Sequence, residues 1–141
     1  MGPVRVLIVD DFESWRKAVR RLLAGAGWVE VVGESPDGPD AMEKSSKLRP
    51  DLVLMDIGLP GMNGLDAARR IGAVSPDTRI LFLSVESDLA VVREALMTGA
   101  GFLAKVDVAR NLVPLIKAII RNEPFLSFRI LGDDPSSSDV R

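Results

Sequence analysis

The sequence predicts one α/β domain built on a five-stranded parallel sheet with helices on both faces. Two observations carry this. Five short apolar runs alternate with stretches of helical period, the pattern of successive βα units in which the strands are covered on both sides. The length, 141 residues, suits a single domain, which near this size buries about 70% of the surface its unfolded chain exposes.

The strands fall near residues 4–10, 29–34, 51–56, 79–84 and 101–104. A first helix near 12–25 repeats apolar residues at Trp15, Val19, Leu22, Leu23 and Ala26. Arg16, Lys17, Arg20 and Arg21 lie largely outside that stripe and read as its solvated face. The second helix, near 38–47, is short and polar, with Ala41 and Met42 as its inward residues, and Pro50 marks the entry to the third strand. After the turn Gly58-Leu59-Pro60-Gly61-Met62-Asn63-Gly64 comes a third helix near 64–73. A fourth near 87–98 carries Leu89, Val92 and Leu96 and stops toward Gly99.

The last helix presents Leu112, Leu115, Ile116, Ile119 and Ile120 on one side. Pro114 interrupts the pattern. Lacking an N–H, proline is comfortable only in a first turn, so the helix is expected either to start late, with Asn111 as N-cap, or to kink. Beyond Asn122 the periodicity fades. Residues 1–122 are therefore expected to form the domain, and 123–141, with the run Gly132-Asp133-Asp134-Pro135-Ser136-Ser137-Ser138-Asp139, a flexible acidic tail or linker.

Composition excludes several chemistries. With no cysteine there is no disulfide framework, thiolate metal site or cysteine nucleophile. The absence of histidine removes Ser-His-Asp triads and imidazole ligands, so any phosphohistidine must come from a partner. A net charge of -2 and a pI near 5.2 give no basic excess, and no direct nucleic-acid binding by this chain is expected. The N-terminus reaches strand-like sequence by Val4 with no signal peptide or membrane span, so a cytoplasmic protein is expected, without membrane partners.

Three carboxylates then stand out: Asp10 and Asp11 at the end of the first strand and Asp56 at the end of the third. If these strands are parallel neighbours, the acids meet at one edge of the sheet, where ligands bind in open α/β folds. Like charges so close disfavour one another's ionisation unless a cation neutralises them, and a hard, oxygen-seeking ion such as Mg²⁺ suits carboxylates. Neutralising Asp10 or Asp56 should therefore stabilise the metal-free chain. Ser84 and Lys105 close the fourth and fifth strands, adding a hydroxyl and an ammonium to the same edge. Taken singly, such residues are usually caps and turn formers; five ordered strand ends with complementary charges are not.

The ordered set Leu7-Ile8-Val9-Asp10-Asp11-Phe12, Asp51-Leu52-Val53-Leu54-Met55-Asp56-Ile57-Gly58-Leu59-Pro60-Gly61-Met62-Asn63-Gly64, Leu83-Ser84 and Gly99-Ala100-Gly101-Phe102-Leu103-Ala104-Lys105 closely resembles the receiver domain of bacterial two-component response regulators, over about residues 4–122. The resemblance implies a flavodoxin-like sheet in the order 2-1-3-4-5. It implies Asp56 as phosphoacceptor, taking a phosphoryl group from a sensor histidine kinase or phosphotransfer protein in a Mg²⁺-dependent reaction. Asp11, Asp56 and the Gly58 carbonyl would ligate the ion, and Asp10 would act directly or through a bound water. Lys105 would place a point charge on a phosphoryl oxygen, Ser84 would be the switch hydroxyl and Phe102 the aromatic that follows it.

A switched surface over residues 87–122, including a possible homodimer, is implied as well. Val106 stands where many relatives carry proline, and Glu86, two residues after Ser84, is a candidate for orienting a water that hydrolyses the acyl phosphate. Such a chain phosphorylates and dephosphorylates itself without being a turnover enzyme. The competing readings are an aspartyl-phosphate phosphohydrolase, whose usual second Asp is replaced here by Gly58, and a degenerate receiver that binds partners without phosphorylation.

Overall fold

The computed structural model describes residues 2–85 and 88–123, so the expected tail from 124 onward and Glu86 lie outside the described residues. Strand β1 spans Val4–Val9, helix α1 Glu13–Ala24, β2 Val29–Ser35, α2 Gly38–Leu48, β3 Leu52–Asp56 and α3 Gly64–Val74. They are followed by β4 at Arg79–Ser84, α4 at Leu89–Thr98, β5 at Gly101–Ala104, a 3₁₀ turn at Lys105–Asp107 and α5 at Val108–Ile120. All pairings are parallel and the strand order is β2-β1-β3-β4-β5. The fold class and order are those the sequence implied.

Apart from the edge strand β2, the strands are nearly continuous apolar runs because the sheet is covered on both faces. Leu7, Val9, Val53, Met55, Ile80, Phe82 and Phe102 point to the side packed by Ala41 of α2, Ile71 of α3 and Val92 of α4. The alternate residues, Val6, Ile8, Leu52, Leu54, Leu81, Leu83 and Leu103, face Val19 and Leu23 of α1 and Leu112, Ile116 and Ile119 of α5. One chain direction thus feeds two cores, as the two-residue period of a strand requires. Asp37, Asn63 and Asp88 cap α2, α3 and α4 by accepting hydrogen bonds from backbone N–H groups at Asp40, Asp66 and Ala90.

Of the two expectations for the last helix, the late start is not met. It starts at Val108 rather than behind an Asn111 cap, and runs with Pro114 inside it. An interior proline costs about 3 kcal/mol. Burying Val108 and Leu112 in the first turns gives back about 1.5–3 kcal/mol each, so packing decides the start. Pro114 and Arg110 both lie on the exposed side, where water can satisfy the carbonyl that proline leaves without a donor. The Lys105–Val106 peptide is trans. Among the described residues, no helix is long and apolar enough to cross a membrane.

Candidate functional site

Register brings the acids together. Val9 pairs with Met55 across β1 and β3, so Asp10 and Asp56 leave the sheet side by side. The chain turns from β1 outward to β2 and returns to β3 on the other side, and the acids flank this reversal of strand order. Carboxylate oxygens of Asp10, Asp11 and Asp56 lie within 4.8 Å of one another. Asp10 is 1% and Asp56 7% exposed, while Asp11 is open to solvent.

Lys105 follows β5 directly, and its ammonium reaches back across the sheet edge. Nζ donates to Asp10 Oδ2 at 2.6 Å and lies 3.7 Å from Asp56 Oδ1. The other Asp10 oxygen accepts from the Phe12 N–H at 2.9 Å. The backbone N–H of Gly58 is near enough to the Asp56 carboxylate to favour its ionised form. Ser84 is buried at the end of β4, one residue beyond Leu83, which pairs with Asp56. Phe102 is not at the edge: it pairs with Phe82 and its ring sits in the core beneath α3 and α4.

Burial pushes the Asp56 carboxyl above the ordinary carboxylate range, and the charges of Asp10 and Asp11 add to the rise, while Lys105 and the Gly58 N–H oppose it. The folded chain therefore holds the Asp56 proton more tightly than the unfolded chain does. Stability falls as pH rises from the ordinary value through the folded one, and ionised Asp56 is a cost at neutral pH. In chelator at pH 7, Asp56→Asn is expected to melt above the parent, with the gap closing in acid and Mg²⁺ stabilising the parent more than the variant. A lower melting temperature in chelator would contradict this. Asp10→Asn does not follow the same rule, because Asp10 gives Lys105 its closest carboxylate.

The donor set fits a hard divalent cation: three carboxylates converge, two of them buried, and their mutual repulsion is what such an ion relieves.

Two residues at this edge carry contacts that a helical stripe does not reveal. Arg16 is not merely solvated: it donates to the Asp10 carbonyl at 2.6 Å and to Glu34 of β2 at 3.0 Å, and Arg20 also pairs with Glu34. Trp15, expected only as core, has the Lys105 ammonium over its ring, 4.8 Å from the centroid. The signal available was position: both stand in the first turn of α1, directly behind the two acids.

The response regulator receiver domain family matches residues 6–117, most of the described chain. The chain belongs to the response regulator receiver family. This receiver is 36% identical over 124 residues to the transcriptional regulatory protein DegU of Brevibacillus brevis, covering 87% of this chain and 52% of that protein. It is 43% identical over 96 residues to the chemotaxis protein CheY of Thermotoga maritima, covering 68% of this chain and 79% of that one. The signal receiver domain of the response regulator NarL from Mycobacterium tuberculosis superposes with a TM-score of 0.81 at 35% identity, covering 87% of this receiver and all of that chain. The receiver spans only 52% and 60% of the lengths of DegU and of the response regulator GacA of Pseudomonas viridiflava.

Proposed function

We propose that this receiver is the Mg²⁺-dependent phosphoacceptor of a cytoplasmic phosphorelay, taking a phosphoryl group onto Asp56 from the phosphohistidine of a sensor kinase or phosphotransfer protein. The observation that carries the reading is the Asp56 carboxylate set between two other acids and the Lys105 ammonium at one sheet edge. Membership of the receiver family supports it.

In the step itself an Asp56 carboxylate oxygen attacks phosphorus. The new O–P bond forms as the P–N bond breaks, and the electron pair leaves on the partner's imidazole nitrogen, which takes up a proton. The Gly58 N–H favours the ionised acceptor, and Lys105 is near enough to place its charge on a phosphoryl oxygen. Asp11, Asp56 and the Gly58 carbonyl would hold Mg²⁺, with Asp10 ligating directly or through water, and the bound ion would offset charge on the transferring group. The chain is an acceptor that also loses its phosphate, not a turnover enzyme.

Mass spectrometry after incubation with acetyl phosphate and Mg²⁺ tests this. One added phosphoryl group is expected on Asp56, absent from Asp56→Ala and from samples in chelator. Labelling that survives either change would contradict the assignment. No labelling of the parent would favour the degenerate receiver, and rapid turnover of an unrelated phosphate ester the phosphohydrolase.

The switch is the second part of the reading. Ser84 would move to hydrogen-bond the phosphoryl oxygen and Phe102 would repack, changing a surface within residues 87–122 that makes a homodimer or meets the remainder of a longer regulator. Support comes from placement: β4 and β5 end together, with Ser84 paired to Ala104 next to Lys105. Adding beryllofluoride with Mg²⁺ should change hydrogen exchange from Ser84 through Arg110 and alter sedimentation. Changes confined to the acids would count against a switch.

A further inference from the structure

Lys105 is nearly enclosed, with 13% of its side chain exposed. A buried ammonium needs partners on every side. Two are carboxylates, at 2.6 Å on Asp10 and 3.7 Å on Asp56. A third is aromatic: the half-buried indole of Trp15, whose centroid lies 4.8 Å from Nζ, well inside the range of a cation–π contact. Lys105 has a four-carbon stem and three rotatable donors, so its ammonium is a mobile point charge unless something fixes it.

Asp10 holds the ammonium when no cation is present, but that same carboxylate belongs to the acidic cluster a divalent ion would draw on. Once Asp10 is shared with an ion, the face of Trp15 is the contact that does not depend on charge at the cluster. The indole also lines, with Lys105, Leu22, Val106 and Val108, an open apolar groove of about 460 Å³ between α1 and the start of α5.

Resting on the phosphoacceptor reading above, we propose that Trp15 is a positioning residue: its indole face holds the Lys105 ammonium against the acceptor pocket, so that the charge stays aimed at the phosphoryl group when Asp10 turns to the metal. Trp15 touches neither the acceptor nor the phosphoryl group in this scheme. It acts only through Lys105.

The test is a double-mutant cycle on labelling by acetyl phosphate and Mg²⁺. Trp15→Leu keeps an apolar side chain but removes the π-face, and is expected to slow labelling of Asp56 about fivefold with unchanged Mg²⁺ affinity. Trp15→Phe, which keeps a face, should stay within about twofold of the parent. In a Lys105→Ala background the Trp15→Leu effect should vanish. A general packing defect would slow both backgrounds alike, and that result, or an unchanged rate in Trp15→Leu, overturns the proposal.

A second readout does not involve phosphorylation. The chain has two tryptophans, so Trp28→Phe leaves Trp15 as the sole emitter. Lys105→Met in that protein should brighten its emission, because an ammonium against the ring quenches the excited indole by proton donation. Unaltered emission overturns the contact. If the parent is never labelled while emission responds, the phosphoacceptor reading fails and the positioning role falls with it; if labelling proceeds but the cycle shows no coupling, only the role of Trp15 falls.

Discussion

Gly64→Ala is expected to cost about 3 kcal/mol of folding stability and to suppress labelling of Asp56 as well. A Cβ on Gly64 would sit 2.1 Å from the Asp56 carbonyl oxygen and 2.9 Å from the Ile57 Cα, and both obstacles are backbone. The loop after β3 is drawn back onto that strand, with Gly64 N–H donating to the Ile57 carbonyl at 2.8 Å and Gly61 at a positive φ of 78°. The methyl group has no side chain to push aside, so it must move the peptide that carries Asp56. Gly72, on the same helix, is the control: a Cβ there meets nothing within 4 Å, and Gly72→Ala should gain about 0.5–1 kcal/mol from helix propensity alone. Urea unfolding of the two variants decides it, and equal midpoints would refute the close approach.

Lys105→Met is expected to act in opposite directions on two properties. In chelator, Asp10 would be left buried without its ammonium, a loss of about 3 kcal/mol, as for one partner removed from a buried pair. Mg²⁺ should then bind more tightly than to the parent, because no ammonium competes for Asp10 and Asp56, and should restore much of the lost stability. Labelling of Asp56 should nonetheless slow about a hundredfold, the usual cost of removing a donor aimed at developing negative charge. Calorimetric titration with Mg²⁺ and a labelling time course separate the two. Weaker Mg²⁺ binding in the variant would mean that the ammonium does not share the acids' site.

Strands β1, β3, β4 and β5 were legible because burial on both faces leaves little room for polar residues until the edge, so each of these apolar runs stops at a polar side chain on the sheet edge. Asp10, Asp56, Ser84 and Lys105 were readable for the same reason: each is the first polar side chain after, or the last within, a buried run. The start of α5 was not. Local chemistry at Pro114 leaves a late start or a kink open, and only the core beneath Val108 and Leu112 removes the late start. Arg16 was misplaced because a helical stripe divides one helix into wet and dry sides without knowing what the neighbouring strand brings, here Glu34. Trp15 was assigned correctly to the inward face, yet a period cannot say that an ammonium from the far end of the chain lies upon it.

That ammonium joins residues 95 positions apart, from the first strand to the end of the last, across β3 and β4. Such a contact closes only after every intervening strand is in register, since long loops are ordered before distant contacts repay them. The ammonium is therefore the part of the pocket most remote in sequence from the acids it meets: β1 and β3 are adjacent and set Asp10, Asp11 and Asp56 together, whereas Lys105 reaches them only when β4 and β5 are also in place.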